Sequence, residues 1–166
     1  MYSYWNADAS GDGTYEGDIV TEVIDNTNLF VADVNKRDIQ SQEYIILSGR
    51  ASVASLRREA RSNGVLDKDV LKIVSDETEE QDKGGDYSHL ELAGDDEEKA
   101  TYIIKFWREE GRVCFEKSTR NCVIARMKTP STLYPVAYFN WYPTANSFHG
   151  TSPISELLPN QKYINS

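Results

Sequence analysis

The sequence predicts an α+β protein, mostly an antiparallel β meander with one or two helices and a long acidic loop. Three observations predict it. Between Ala100 and Tyr142, four runs rich in β-branched and aromatic residues follow one another at hairpin spacing. A stretch from Ser52 to Gly64 carries helical apolar periodicity between two helix-end signals. Between Ser75 and Glu98 stand eleven acidic residues against one base, Lys83.

Residues 1–17 are rich in Gly, Asp, Ser and Asn, so an irregular arm is expected there, its aromatics Tyr2, Tyr4, Trp5 and Tyr15 free to pack on a neighbour. "DIVTEVID" (18–25) alternates as a strand does, "NLFVAD" (28–33) is a second short strand, and "EYIILSG" (43–49) is apolar enough to be a buried one. Ser52 then caps a helix whose apolar stripe is Val53, Leu56 and Ala60, with Arg57, Arg58 and Arg61 outside it. Gly64 suits the left-handed position after the last turn. "DKDVLKIV" (67–74) reads as a second short helix capped by Asp67. Residues 75–98 hold few apolar side chains and read as a flexible acidic loop.

From Ala100 the hairpins begin. "ATYIIKFWRE" (100–109) turns at Glu110-Gly111 into "RVCFEKS" (112–118), and "TRN" turns that into "CVIARMK" (122–128). "LYPVAYFNWY" (133–142) is the fourth strand, with Pro135 near its start, where a lost N–H is tolerated. A loop with His149 and Gly150 follows, in which Gly150 is expected to take a positive φ and the imidazole to bond nearby carbonyls. Ser152-Pro153 starts a helix, and Pro159 interrupts it.

Composition bounds function. At 166 residues the chain fits one domain with a sizeable core, and its 39% hydrophobic content is that of a globular protein. The net charge of −9 belongs to the acidic segment, since the remainder holds 16 acids against 17 bases. The body therefore has no basic excess of the kind a dedicated nucleic-acid surface needs. No apolar run approaches the roughly 18 residues of a membrane span. "MYSYWNADASGDGTYEGD" has neither the basic nor the apolar region of a secretion signal.

Chemistry-bearing patterns are sparse. No phosphate-binding glycine loop, nucleophile elbow or zinc-protease helix is present. Neither "SDETEEQDKGGD" nor "DDEEKA" has the register of a calcium loop. Cys114 and Cys122, with His89 and His149 distant in sequence, match no zinc pattern. With a turn near Thr119-Arg120, Cys114 would face the region of Ile124, so reduced, buried thiols are expected rather than a disulfide. The arginines of the helix invite a phosphate reading, and a solvated face or an acidic partner is the simpler one. His149, beside Ser147 and Ser152, lacks a nucleophile motif and reads as structural. No catalytic, cofactor or metal residue is assigned, and no cofactor is expected.

A family likeness remains. "GDIVTEVIDNTNLFVAD", "DIQSQEYIILSGRASVASLRREARSNG", "TYIIKFWREEGRVCFEKSTRNCVI" and "LYPVAYFNWYPTANSFHGTSPISELLPNQKYIN" follow in an order that resembles part of the portal proteins of tailed bacteriophages. The most specific pieces are the Asp-Asn-Thr-Asn segment and the tail from Tyr134. The resemblance implies a non-enzymatic structural protein of the virion, in a ring commonly of twelve subunits at one capsid vertex, assembled in the bacterial cytoplasm. DNA is packaged and ejected through that ring. Implied partners are other portal subunits, capsid and scaffold proteins, terminase, head-completion proteins and the passing DNA, with no membrane. It also implies a wing-like domain over 18–151 and, over 152–166, the start of a helical stem connection. Alone, the chain is expected to be a monomer or small oligomer. Two other classes compete. A protein- or carbohydrate-binding module would use Tyr2, Tyr4, Trp5, Trp141 and Tyr142, and a small hydrolase would centre on His149.

Overall fold

The computed structural model describes residues 1–6, 17–76 and 98–165. In chain order the strands and helices are β1 (Tyr2–Asn6), β2 (Asp18–Glu22), β3 (Leu29–Val31), β4 (Tyr44–Ser52), α1 (Val53–Ser62), α2 (Asp67–Val70), β5 (Lys99–Glu109), β6 (Arg112–Thr119), β7 (Val123–Lys128) and α3 (Pro153–Ile164). Strands β3 to β7 form a five-stranded antiparallel sheet in sequence order, and β1 and β2 pair separately. The α+β class with mostly antiparallel strands is what the sequence predicts. The flexible loop expected over 75–98 lies outside the described residues apart from its ends.

The residues fall into two compact units. A helix unit holds Ile46–Lys105 and Cys114–Thr129, and a tail unit holds Met1–Ile45, Phe106–Val113 and Pro130–Ser166.

The helix unit is built on apolar burial. Ser52 caps α1 through its Oγ, which accepts the Ser55 N–H at 3.2 Å. The stripe of Val53, Leu56 and Ala60 then packs with Val70, Ile73, Ala100, Cys122 and Ile124. Each large aliphatic side chain so buried contributes about 1.5–3 kcal/mol. Beyond Ser62 the N–H of Val65 bonds the Ala60 carbonyl and that of Gly64 the Arg61 carbonyl, with Gly64 at φ +78°. This is a Schellman ending, as the glycine predicts.

Two local expectations change in this unit. Asp67 does not cap α2. Leu66 stands at the cap position without a side-chain bond, and the Asp67 carboxylate instead meets Arg61 Nε at 3.1 Å. The turn between β6 and β7 is centred one residue later than expected, because the Thr119 N–H bonds the Cys122 carbonyl. Cys114 therefore lies opposite Lys128, not Ile124, with a register shift between Lys117 and Ser118. Both cysteines are buried free thiols, as expected.

The tail unit departs further from the sequence reading. Residues 2–6 of the supposedly irregular arm are a strand, with Tyr2 opposite Glu22 and Asn6 opposite Asp18. Its aromatic residues favour extended backbone. The pair is reinforced by Ser3 Oγ to Thr21 Oγ1 at 2.9 Å and by the Tyr4 hydroxyl, which donates to Glu22 at 3.0 Å.

Residues 133–142 are not the fourth strand of the meander. Burial alternates over 134–141, with Tyr134 and Val136 buried and Ala137, Phe139 and Trp141 exposed, which is the period that suggested a strand. A ladder needs a continuous partner, and among the described residues this segment has only two isolated bridges, Val136 to Tyr2 and Tyr142 to Thr151. The first lies beside the N-terminus. There the Met1 ammonium donates to the Ala137 carbonyl at 2.9 Å, the Ala137 N–H to the Met1 carbonyl at 2.9 Å, and the Ser3 N–H to the Pro135 carbonyl at 3.0 Å.

Glutamine side chains supply further pairing. Gln40 accepts the Tyr134 N–H at 2.9 Å and donates to the Tyr134 carbonyl at 3.1 Å. Arg108 grips Gln40 through two bonds and lies 4.3 Å over the Tyr134 ring. The Tyr134 hydroxyl donates to the Gln42 and Glu43 carbonyls. Gln42, 2% exposed, accepts the Asp33 N–H and donates to the Asp33 and Lys36 carbonyls. A polar knot thus stands where a strand ladder was expected.

Candidate functional site

The tail unit's last extended segment and the joint after it gather Trp141, Tyr142, Ser147, His149 and Ser152 of the residues that the sequence singled out. Tyr138 and Asn140 point inward on alternate positions. The Tyr138 ring stacks on buried Phe148 at 4.2 Å, and Asn140 Nδ2 donates to the Phe148 carbonyl at 2.6 Å. The Phe148 N–H bonds the Val34 carbonyl at 2.7 Å. Burial pushes both the Tyr138 and Tyr134 phenols above the ordinary tyrosine pKa, with the Arg108 charge partly opposing the shift at Tyr134. Phe139 and Trp141, on the other parity, stand 78% and 77% exposed.

The turn that closes the joint differs from the expected one. Gly150 is not at positive φ, and Asn146 is, at +53°. Asparagine tolerates that region because its short amide can bond locally. Gly150 is required for another reason: a Cβ there would lie 2.5 Å from the Tyr142 carbonyl oxygen and 2.8 Å from Asn140 Cβ. The Thr151 N–H donates to the same Tyr142 carbonyl at 2.9 Å, so the backbones must touch.

His149 is exposed, and its imidazole packs edge-on against Phe148 at 5.3 Å. The expected bond from imidazole to carbonyl is replaced by this ring contact, while the His149 carbonyl accepts the Ser147 hydroxyl at 2.8 Å. Ser152 caps α3, its Oγ accepting the Ile154 N–H at 3.3 Å with Pro153 at the first position. Pro159 does not end the helix, which runs on to Ile164. A proline there removes one donor to the Ser155 carbonyl, and exposure along α3 leaves that carbonyl open to water.

The other candidates are dispersed. Trp5 is exposed on β1, with Cζ2 2.5 Å from where a Gly17 Cβ would stand. Tyr2 stacks on Tyr4 at 5.4 Å and tilts onto Phe106 at 5.9 Å, so both are engaged within the unit. Arg57 donates twice to the Ile73 carbonyl, at 3.0 and 2.7 Å, and Arg61 pairs with Asp67. Two of the three helix arginines therefore fasten the chain that follows α1, Arg61 at the start of α2 and Arg57 just beyond its end, rather than await a phosphate. Burial raises the Cys122 thiol pKa, which keeps it protonated and a poor nucleophile. Among the described residues no three His, Cys, Asp or Glu side chains cluster in a metal-binding arrangement, and no helix is long and apolar enough to cross a membrane.

What sequence reasoning missed is the knot of Gln40, Gln42, Arg108 and Tyr134. Its only trace in the sequence is a pair of glutamines two residues apart ahead of an apolar strand. No protein-family model matches the chain, and no curated protein matches its sequence.

Proposed function

We propose that the chain is a structural part of a portal-type subunit of a tailed bacteriophage, working without catalysis in the ring at the capsid vertex through which DNA is packaged and ejected. One observation carries the reading beyond the sequence likeness. The joint at Gly150 is a fixed, close-packed reversal, and it delivers α3 with Ile154, Leu157, Leu158 and Ile164 all more than half exposed. At spacings i, i+3, i+4 and i+10 these residues share one face, and a helix whose apolar stripe is exposed among the described residues suits a connector that meets other polypeptide. In this reading the two units form the wing-like part, and α3 leads towards the stem. The partners are neighbouring subunits, capsid and scaffold proteins, terminase and head-completion proteins.

Quantitative mass spectrometry of purified phage particles from the source host tests this. Peptides of this chain should be present at one ring's worth of copies per particle and located at one vertex by antibody labelling. Their absence from particles, or presence at every vertex, would reject the reading.

A second reading, a protein-binding module, is favoured by the shared exposure of Phe139 and Trp141 on one side of an extended segment. Retention of this chain by immobilised peptides, lost on Trp141→Ala with the fold intact, would support it.

A further inference from the structure

Helix α1 ends on a pair of residues with a chemistry of their own. Asn63 stands at its C-cap and is followed by Gly64, and no other asparagine in the chain precedes a glycine. An asparagine amide can be attacked by the backbone nitrogen of the next residue, and glycine, lacking a Cβ, hinders that attack least. Asn63 is exposed, and its side chain makes no hydrogen bond among the described residues. Space around Gly64 is open as well, since a Cβ there would meet no described atom within 4 Å.

The folded backbone holds that reaction off. At Asn63 ψ is 4°, so the Gly64 nitrogen eclipses the Asn63 nitrogen, and Cβ lies a third of a turn away. Closing a five-membered ring needs the Gly64 nitrogen beside Cβ, so the bond from Cα to the carbonyl carbon must turn by that third. The Schellman ending forbids the turn while it lasts. Its Gly64 N–H is bonded to the Arg61 carbonyl and its Val65 N–H to the Ala60 carbonyl, each at 3.0 Å. Helix ends open more often than cores, and one opening releases both bonds.

We propose that Asn63 is a self-modification site gated by the ending of α1. When the ending opens, the Gly64 nitrogen gives its proton to solvent and bonds to Asn63 Cγ. The bond from Cγ to Nδ2 breaks, and the amide nitrogen leaves as ammonia after taking a proton from water. One water then opens the resulting succinimide at either carbonyl. One opening gives aspartate at position 63, and the other gives isoaspartate, in which the main chain runs through Cβ and Cγ. The balance is one water consumed and one ammonia released, with no oxidant or catalyst. Both products place a carboxylate at the end of α1 where the helix dipole is already negative. Isoaspartate also adds one atom to the main chain before Gly64, so the two closing bonds cannot re-form together. The change runs one way, and its extent records how often this helix end has opened. It is independent of both functional readings above.

The test compares the whole folded chain with the peptide acetyl-Arg-Ser-Asn-Gly-Val-amide in one mildly alkaline buffer, the products at position 63 being located by peptide mapping. Two backbone bonds of ordinary strength should slow the chain about thirtyfold relative to the peptide, so after about five peptide half-lives roughly a tenth of it should be converted. Amide exchange at Gly64 and Val65 should be slowed by the same factor to within about threefold, since one opening admits both reactions. Conversion as fast as in the peptide would overturn the gate, and conversion below about 1% would overturn the site. The purified isoaspartyl chain should lose exchange protection at Val65, whereas Asn63→Asp, with an unaltered main chain, should keep it. Equal protection in the two would overturn the claimed effect on the helix end.

Discussion

The helix unit and the tail unit solve the same problem with different chemistry. In the helix unit the sheet is covered by α1, and its centre is the stripe of Val53, Leu56 and Ala60 against Ile73, Ala100 and Ile124. In the tail unit, extended segments meet at bends where no continuous ladder exists, and glutamine amides, an arginine and a tyrosine hydroxyl satisfy the backbone instead. Apolar burial is non-directional and tolerates repacking, whereas a buried polar knot tolerates little, because each lost partner leaves another group unpaired. The two halves should therefore respond oppositely to the same kind of substitution.

The largest expected effect lies in the apolar half. Leu56→Ala, at a side chain 1% exposed, should lower stability by about 3 kcal/mol in urea unfolding, and Leu56→Met by about 1 kcal/mol. Gln42→Met also conserves volume, yet it should cost about 2–3 kcal/mol, since the Asp33 and Lys36 backbone groups lose their partners. If the two methionine variants are equally mild, the contrast between the units fails.

Gly150→Val should cost about 2 kcal/mol through the clash with the Tyr142 carbonyl, and His149→Gln no more than about 0.5 kcal/mol. A reversed order would mean that the imidazole, not the close backbone approach, holds the joint.

Alkali should find the polar half. The Tyr134 and Tyr138 phenols are raised by burial, so folding favours their neutral forms. Their contribution is fully present below the unfolded tyrosine pKa of about 10 and is lost as pH rises through the higher folded values. Tyr134→Phe should lower stability by about 1 kcal/mol at pH 7, through the lost bonds to the Gln42 and Glu43 carbonyls, and should flatten the decline above pH 10.

The smallest effect is expected where composition promises least. The Asp76 N–H bonds the Lys99 carbonyl at 3.2 Å, and the Asp76 carboxylate accepts the Thr101 N–H. The ends of the acidic segment are thus already joined. Replacing residues 77–97 by a six-residue Gly-Ser bridge should change stability by no more than about 0.6 kcal/mol, in the stabilising direction. A large loss would assign the segment a role in the fold.

The same contrast decides how much the sequence could disclose. Helix α1 was legible because Ser52, the 3–4 spacing of Val53, Leu56 and Ala60, and Gly64 all state one local answer. The β5–β6 hairpin was legible for the same reason, with Glu110 and Gly111 both at positive φ in its turn. Residues 133–142 show the limit. Alternation reports that a segment is extended with one side buried, but whether it joins a ladder depends on a partner more than a hundred positions away. β1 was hidden by the polar residues after it, since its pairing with β2 is a tertiary fact. At the joint, the need for glycine was legible and its cause was not, because close backbone approach leaves no mark in one sequence.

The order of strands in the large sheet bears on how the chain finds its fold. Every neighbour in β3-β4-β5-β6-β7 is next in sequence, yet β4 and β5 are separated by all of residues 53–98. The β5–β6 and β6–β7 hairpins need only tight turns, and isolated hairpins form within about 10 μs. Joining β4 to β5 must first close the longest gap in the sheet, so that encounter should set the folding rate. Shortening the gap to roughly half its length should speed refolding about two- to threefold while leaving the unfolding rate nearly unchanged. The acidic segment, near neutral for the finished structure, would then act as a brake on reaching it.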